Sequence, residues 1–144
     1  GIFGIVLSTA RRRGLGNSTG TLWRKRLCEF LDRCERMPTP NPEDMPVLVL
    51  RLCQILDEAP DAVKQHFAPP PNSSLAQLAE RGWTEQILLL TTERVGLMAS
   101  RAVSGDAIAT VAVPGLDIER SFSSSGSLAH AMTGAIAATA MIAV

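Results

Sequence analysis

Tyrosine is absent from this 144-residue sequence, and aromatic residues of every kind make up only 4% of it. Cysteines number three, at positions 28, 34 and 53, with no C-x-x-C spacing and no histidine placed to complete a zinc set. That excludes a disulfide scaffold. Cys34 and Cys53 fall at apolar helix positions, where buried free thiols are expected, and free thiols suit a reducing compartment. Charge of one sign is not in excess: fourteen Lys and Arg offset fourteen Asp and Glu. This balance argues against a basic nucleic-acid module at the level of the whole chain. With 46% apolar and 19% charged residues, the chain is neither a disordered polymer nor a collagen-like repeat. G-x-S-x-G, P-loop and H-E-x-x-H motifs are all missing. Gly14-x-Gly16 lacks the flanking elements of a dinucleotide loop, and the acid pairs Glu43–Asp44 and Asp57–Glu58 sit at helix ends, where capping accounts for them. His66 and His130 lie far apart without a visible catalytic partner and read as surface or satisfied core histidines. No catalytic residue, metal ligand or cofactor is expected, and the chain reads as not an enzyme.

Two absences are local. Residues 1–26 hold no acid but six cations, Arg11, Arg12, Arg13, Arg24, Lys25 and Arg26, and residues 121–144 hold no charge at all. Between them eight cations face fourteen acids, a balance of minus six. The neutral total is thus a basic head, an acidic middle and an uncharged tail, an asymmetry that signals a partner. The two cation clusters are separated by Gly, Asn, Ser and Thr, the composition of an organellar presequence or a nucleic-acid arm. Residues 1–20 are expected to be a basic extended arm. The six cations are the candidate contacts for RNA or an anionic lipid surface, where each nearby cation contributes about 1 kcal/mol; a solvated terminus is the alternative. A first residue of Gly suits a processed chain or a fragment. The run Gly1-Ile2-Phe3-Gly4-Ile5-Val6-Leu7 is far short of the roughly 20 residues that span a bilayer, and reads as a buried strand or an anchor into a partner.

What is present is helical signal through residues 21–82. Trp23, Leu27, Phe30, Leu31 and Cys34 recur at helical spacing. Ser18 to Thr21 offer caps, Pro38 stops the helix, and Glu29–Arg33 and Asp32–Arg36 stand at i,i+4. Asn41, Pro42, Glu43 and Asp44 open a second helix by cap, fixed φ and dipole together, and its apolar residues, Met45 to Leu56, are spread widely enough to require burial. A short helix is expected over about Pro60 to Phe67. Another is expected over Leu75 to Arg81, capped by Ser73 or Ser74 and ended by Gly82. Eight of the nine prolines lie between Pro38 and Pro71, so the helices are held by stiff joints.

From Ile87 the pattern changes. Ile87–Leu90, Val95–Ala102 and Ile108–Val113 read as three short strands, with a turn at Ser104-Gly105-Asp106. The stretch Arg94-Val95-Gly96-Leu97-Met98-Ala99-Ser100-Arg101, through the turn to Val111-Ala112-Val113-Pro114, resembles the opening segment of SET-domain protein lysine methyltransferases of the Rubisco lysine methyltransferase type. The helix over Leu75–Trp83 is similar to the one that precedes that segment, so the resemblance covers residues 75–114. It implies a SET-like β fragment. The family's Asn-His cofactor signature and catalytic Tyr have no counterpart in this chain, Arg94 stands where the first glycine would be, and Asp106 replaces a Glu.

The tail from Leu128 to Val144 is rich in Ala, with Gly134 and small residues four apart that permit close helix contact. Its seventeen residues rise about 25 Å, just short of the roughly 30 Å hydrocarbon core. A buried packing helix is the favoured reading, with membrane contact through residues 128–144 as the alternative. The cover it needs exceeds what a chain of this length is expected to supply. The expected fold is α+β: a helical N-terminal half, a small antiparallel β region at about 86–113 and an apolar C-terminal helix. Its segments are 1–20, 21–82, 83–120 and 121–144. The function expected is a non-catalytic accessory or structural subunit of a larger assembly, organellar (mitochondrion or plastid), bound to other protein subunits. A fragment or degenerate relative of a SET-type methyltransferase and an RNA-associated ribosomal accessory protein are the alternatives.

Overall fold

The computed structural model describes residues 8–143, with side chains from Gly20 onward; the Gly1–Leu7 strand or anchor lies outside the described residues. The chain is α+β, as its patterning indicates: a helical first half, a three-stranded antiparallel sheet and a C-terminal helix. Helix α1 runs from Ser8 to Glu35. From Ser8 onward the expected extended arm is therefore helix. Ala10, Arg11–Arg13 and Leu15 are good helix formers, and no proline precedes Pro38. Turns propagate backward from the Trp23–Cys34 part, whose packing meets the cost of nucleation.

A 3-10 turn at Pro42–Asp44 leads into α2 (Met45–Asp57). Asn41 holds the extended cap backbone, but its side chain makes no cap hydrogen bond. Two short helices follow, α3 (Asp61–Lys64) and α4 (Asn72–Glu80). The latter starts ahead of Ser73 because Pro71, at φ −61° and ψ 154°, already has cap geometry. It ends at Gly82, whose φ of +73° carries the chain round.

The next segment corrects the strand expected at Ile87–Leu90: it is helix α5 (Thr84–Thr91). Four apolar residues carry no period of their own. The helix is favoured because it turns Ile87 and Leu88 into the core, while the hydroxyls of Thr91 and Thr92 donate back to the Ile87 and Leu88 carbonyls at 2.7 and 2.8 Å.

The sheet is a meander of β1 (Gly96–Arg101), β2 (Asp106–Val113) and β3 (Ile118–Ser125), in that order. It therefore spans 96–125, not 86–113, and the uncharged tail begins as a strand. The serine run of β3 resembles a loop by composition. Pairing with β2, Ala109 opposite Phe122 and Thr110 opposite Ser121, makes it a strand, with Glu119, Ser121, Ser123 and Ser125 on the outer face and Arg120, Phe122 and Ser124 on the α6 face.

Helix α6 (Leu128–Ile142) is the centre of the molecule. It lies against β2 and β3 on one side and against α1, α2 and α5 on the other. The chain covers its own apolar helix, contrary to the expectation that a chain of this length supplies that cover only in part. Small residues make this possible. Gly134 sits directly under the Phe122 ring, and a Cβ there would collide with it. Thr133 and Thr139 are buried, yet each donates to the carbonyl four residues back, at 2.7 and 2.8 Å. Among the described residues no helix is long and apolar enough to cross a membrane.

Candidate interaction surface

His130 belongs to the structure of the core. It is 2% exposed, and its Nε2 lies 2.8 Å from the Cys34 carbonyl. A carbonyl only accepts, so Nε2 carries the proton. The remaining nitrogen, Nδ1, then accepts from the Ser124 hydroxyl at 2.7 Å. The imidazole thus ties α6 to both α1 and β3, with Phe122 edge-on at 5.2 Å. Ser127 caps the same helix by accepting from the His130 N–H at 3.1 Å. Cys34 and Cys53 are buried free thiols. Burial pushes them up to about 12 and about 11, Cys34 with a smaller opposing pull from Arg33, Cys53 with one from the Thr91 hydrogen bond. Thiols held in that range are poor nucleophiles at neutral pH. Among the described residues no group of three or more His, Cys, Asp or Glu is placed to hold a metal ion.

The surface is where unassigned chemistry lies. Of the six head cations, Arg11, Arg12 and Arg13 lie on the backbone of α1, ahead of the described side chains. Arg24, Lys25 and Arg26 are exposed. Successive helical residues step by about 100°, so three in a row fan round the helix instead of forming one patch. Arg26 turns to α2 and pairs with Glu58. Arg24 and Lys25 make no ion pair among the described residues.

Patterning alone did not single out the groove between α1 and α2. Trp23 joins the two helices at one end, its indole N–H donating to the Ile55 carbonyl at 2.7 Å. Beyond that bond, two adjoining depressions of about 650 and 340 Å³ open along the groove. Arg33 from α1 and Arg51 from α2 line both of them. Phe30, Ile55 and Leu48 form buried walls, and Val47 stands 68% exposed at the far end. The expected Asp32–Arg36 pair forms at 2.9 Å, whereas Glu29–Arg33 does not. Neither Arg33 nor Arg51 reaches a carboxylate among the described residues. The only sequence signal was Arg33 itself, whose i,i+4 spacing from Glu29 pointed to a partner it does not have.

The second open surface is the face of the sheet away from α6. Met98, Ile108 and Thr110 lie there with Ser121 and Ser123, in register across the three strands. Met98 is 74% and Ile108 45% exposed. The charges on this face, Asp106 and Glu119, are both acidic, while Arg101 and Arg120 lie on the α6 side of the two edge strands. An inward-facing charge on an edge strand disfavours addition of a further strand. The face of the sheet away from α6 is left bare.

No protein-family model matches this chain, and no curated protein and no solved structure matches it either.

Proposed function

We propose that the chain is a non-catalytic accessory subunit that works by docking to other proteins. The bare face of the sheet carries this reading. A three-stranded sheet packed on one side only leaves Met98 and Ile108 in water, and an exposed apolar centre within a polar rim is the composition of a contact surface. His130 is held in a closed hydrogen-bond set and two of the three thiols lie deep in the core, while Cys28 is exposed and His66 Nε2 has no hydrogen-bond partner among the described residues. The inward arginines at both edges favour a partner that lies on the sheet over one that extends it.

The test is the native mass of the tagged chain in an extract of its own cells. A particle well above 15.4 kDa, and stable to dilution, is the expected result. A chain that migrates at 15.4 kDa under the same conditions overturns the reading.

A further inference from the structure

Helix α1 is continuous from Ser8 to Glu35, yet among the described side chains its buried stripe begins at Trp23. Carried back by the same steps of three and four, the stripe meets positions held by Gly20, Gly16, Arg13 and Thr9. Two glycines, an arginine and a threonine make no apolar stripe. A Cβ at Gly20 would meet nothing within 4 Å, so there is open space beside the helix at that point. From Ser8 to Trp23 the helix advances about 22 Å. Charge pairing within the helix does not account for these turns either, because the first acid of the sequence is Glu29, beyond all six cations. Arg26 pairs with Glu58 of α2, whereas Arg24 and Lys25, both exposed, make no ion pair among the described residues. Just ahead of the cations the sequence is the opposite, an uncharged run with Ile2, Phe3, Ile5, Val6 and Leu7.

We propose that residues 1–25 hold the protein on an anionic lipid bilayer, the apolar run at 2–7 entering the headgroup boundary and the Arg11–Arg13 and Arg24–Lys25 clusters meeting the lipid charge. With no carboxylate before Glu29, the charge of this segment selects an anionic partner. A short apolar anchor or a few cations alone give marginal attachment, and the two together give a stable one. Cations fanned round a helix suit a charged plane, which attracts over a Debye length of about 8 Å at physiological salt and needs no single docking patch. An RNA would engage the same cations and leave the apolar run in water. This contact uses no residue of the sheet, so it stands or falls separately from the docking face.

The test is co-sedimentation of the full chain with vesicles of phosphatidylcholine alone or of phosphatidylcholine mixed with phosphatidylserine. The mixed vesicles should carry the chain down, and the neutral ones should leave it in solution. Arg11→Gln, Arg12→Gln and Arg13→Gln together should weaken binding by about tenfold to a hundredfold, because each cation near an anionic surface contributes about fivefold. Phe3→Ser with Val6→Ser should weaken it by about tenfold. Both sets of changes precede Trp23, where the packed stripe begins, so thermal melts of the variants should match the wild type. Single-stranded RNA, added at the same phosphate concentration as the lipid, should leave the chain on the mixed vesicles. Equal sedimentation with both vesicles, sedimentation with neither, or unchanged binding by either variant overturns the proposal. RNA that strips the chain from the mixed vesicles overturns it as well, and assigns the cations to a nucleic acid.

Discussion

Helix α6 and helix α1 are both long for this chain, and they differ in how each is satisfied. The former has no charge, and nearly every side chain it owns is covered by strands on one side and helices on the other. The latter is buried along a single stripe, Trp23, Leu27, Phe30 and Cys34, and exposes charges of both signs on the rest of its described length. The comparison separates stability from recognition. Substitutions in α6 meet packed neighbours everywhere, while those on the outer side of α1 meet water or a partner.

The largest effect is therefore expected inside α6. Ile136, fully buried, loses about 2–5 kcal/mol of stability on change to Ala. Gly134→Ala, which forces the Phe122 ring to move, loses about 1–3 kcal/mol. Thermal or urea melts measure both, and an unchanged midpoint for either would mean that α6 is not the packed centre.

Alkaline pH comes next. Cys34 and Cys53 have folded values of about 12 and about 11, above the ordinary value of 9.0. Their contribution to stability is complete below pH 9 and is lost as pH rises through the interval up to those values. In that interval the unfolded chain releases a proton that the folded chain keeps, a loss of up to about 1.4 kcal/mol per pH unit for each thiol. Without tyrosine, no phenol titrates in the same window. Urea melts at pH 8 and 10 should show the decline, and Cys34→Ala with Cys53→Ala should flatten it.

The smallest effect belongs to α1. Arg26→Gln removes an exposed ion pair to Glu58 and should change stability by less than about 1 kcal/mol. A loss as large as that of Ile136→Ala would erase the distinction between the two helices.

Legibility in the sequence followed the same division. The stripe of α1, the stop at Pro38, the burial of α2, the Gly82 terminus and the packed α6 were all readable, because helical period and proline or glycine punctuation are local signals. The two structural errors in the β region came from segments whose state is decided by pairing. Ile87–Leu90 has no period and became helix packed against α2, α4 and α6, and Ile118–Ser125, beyond the expected end of the β region, becomes a strand only by pairing with β2. The cation clusters were visible as composition, but a helix spreads adjacent residues round its axis. The groove arginines, eighteen residues apart, meet only because α1 and α2 pack together.

The most direct test of the account is Met98→Asp with Ile108→Asp, read by native mass in the cell extract beside a melt of the purified chain. Both side chains are exposed on the bare face, so the melt should move by less than about 1 kcal/mol while the chain drops out of its large particle to its own mass. A double variant that keeps its place in the particle, with the fold intact, would contradict the claim that this face is where the subunit docks.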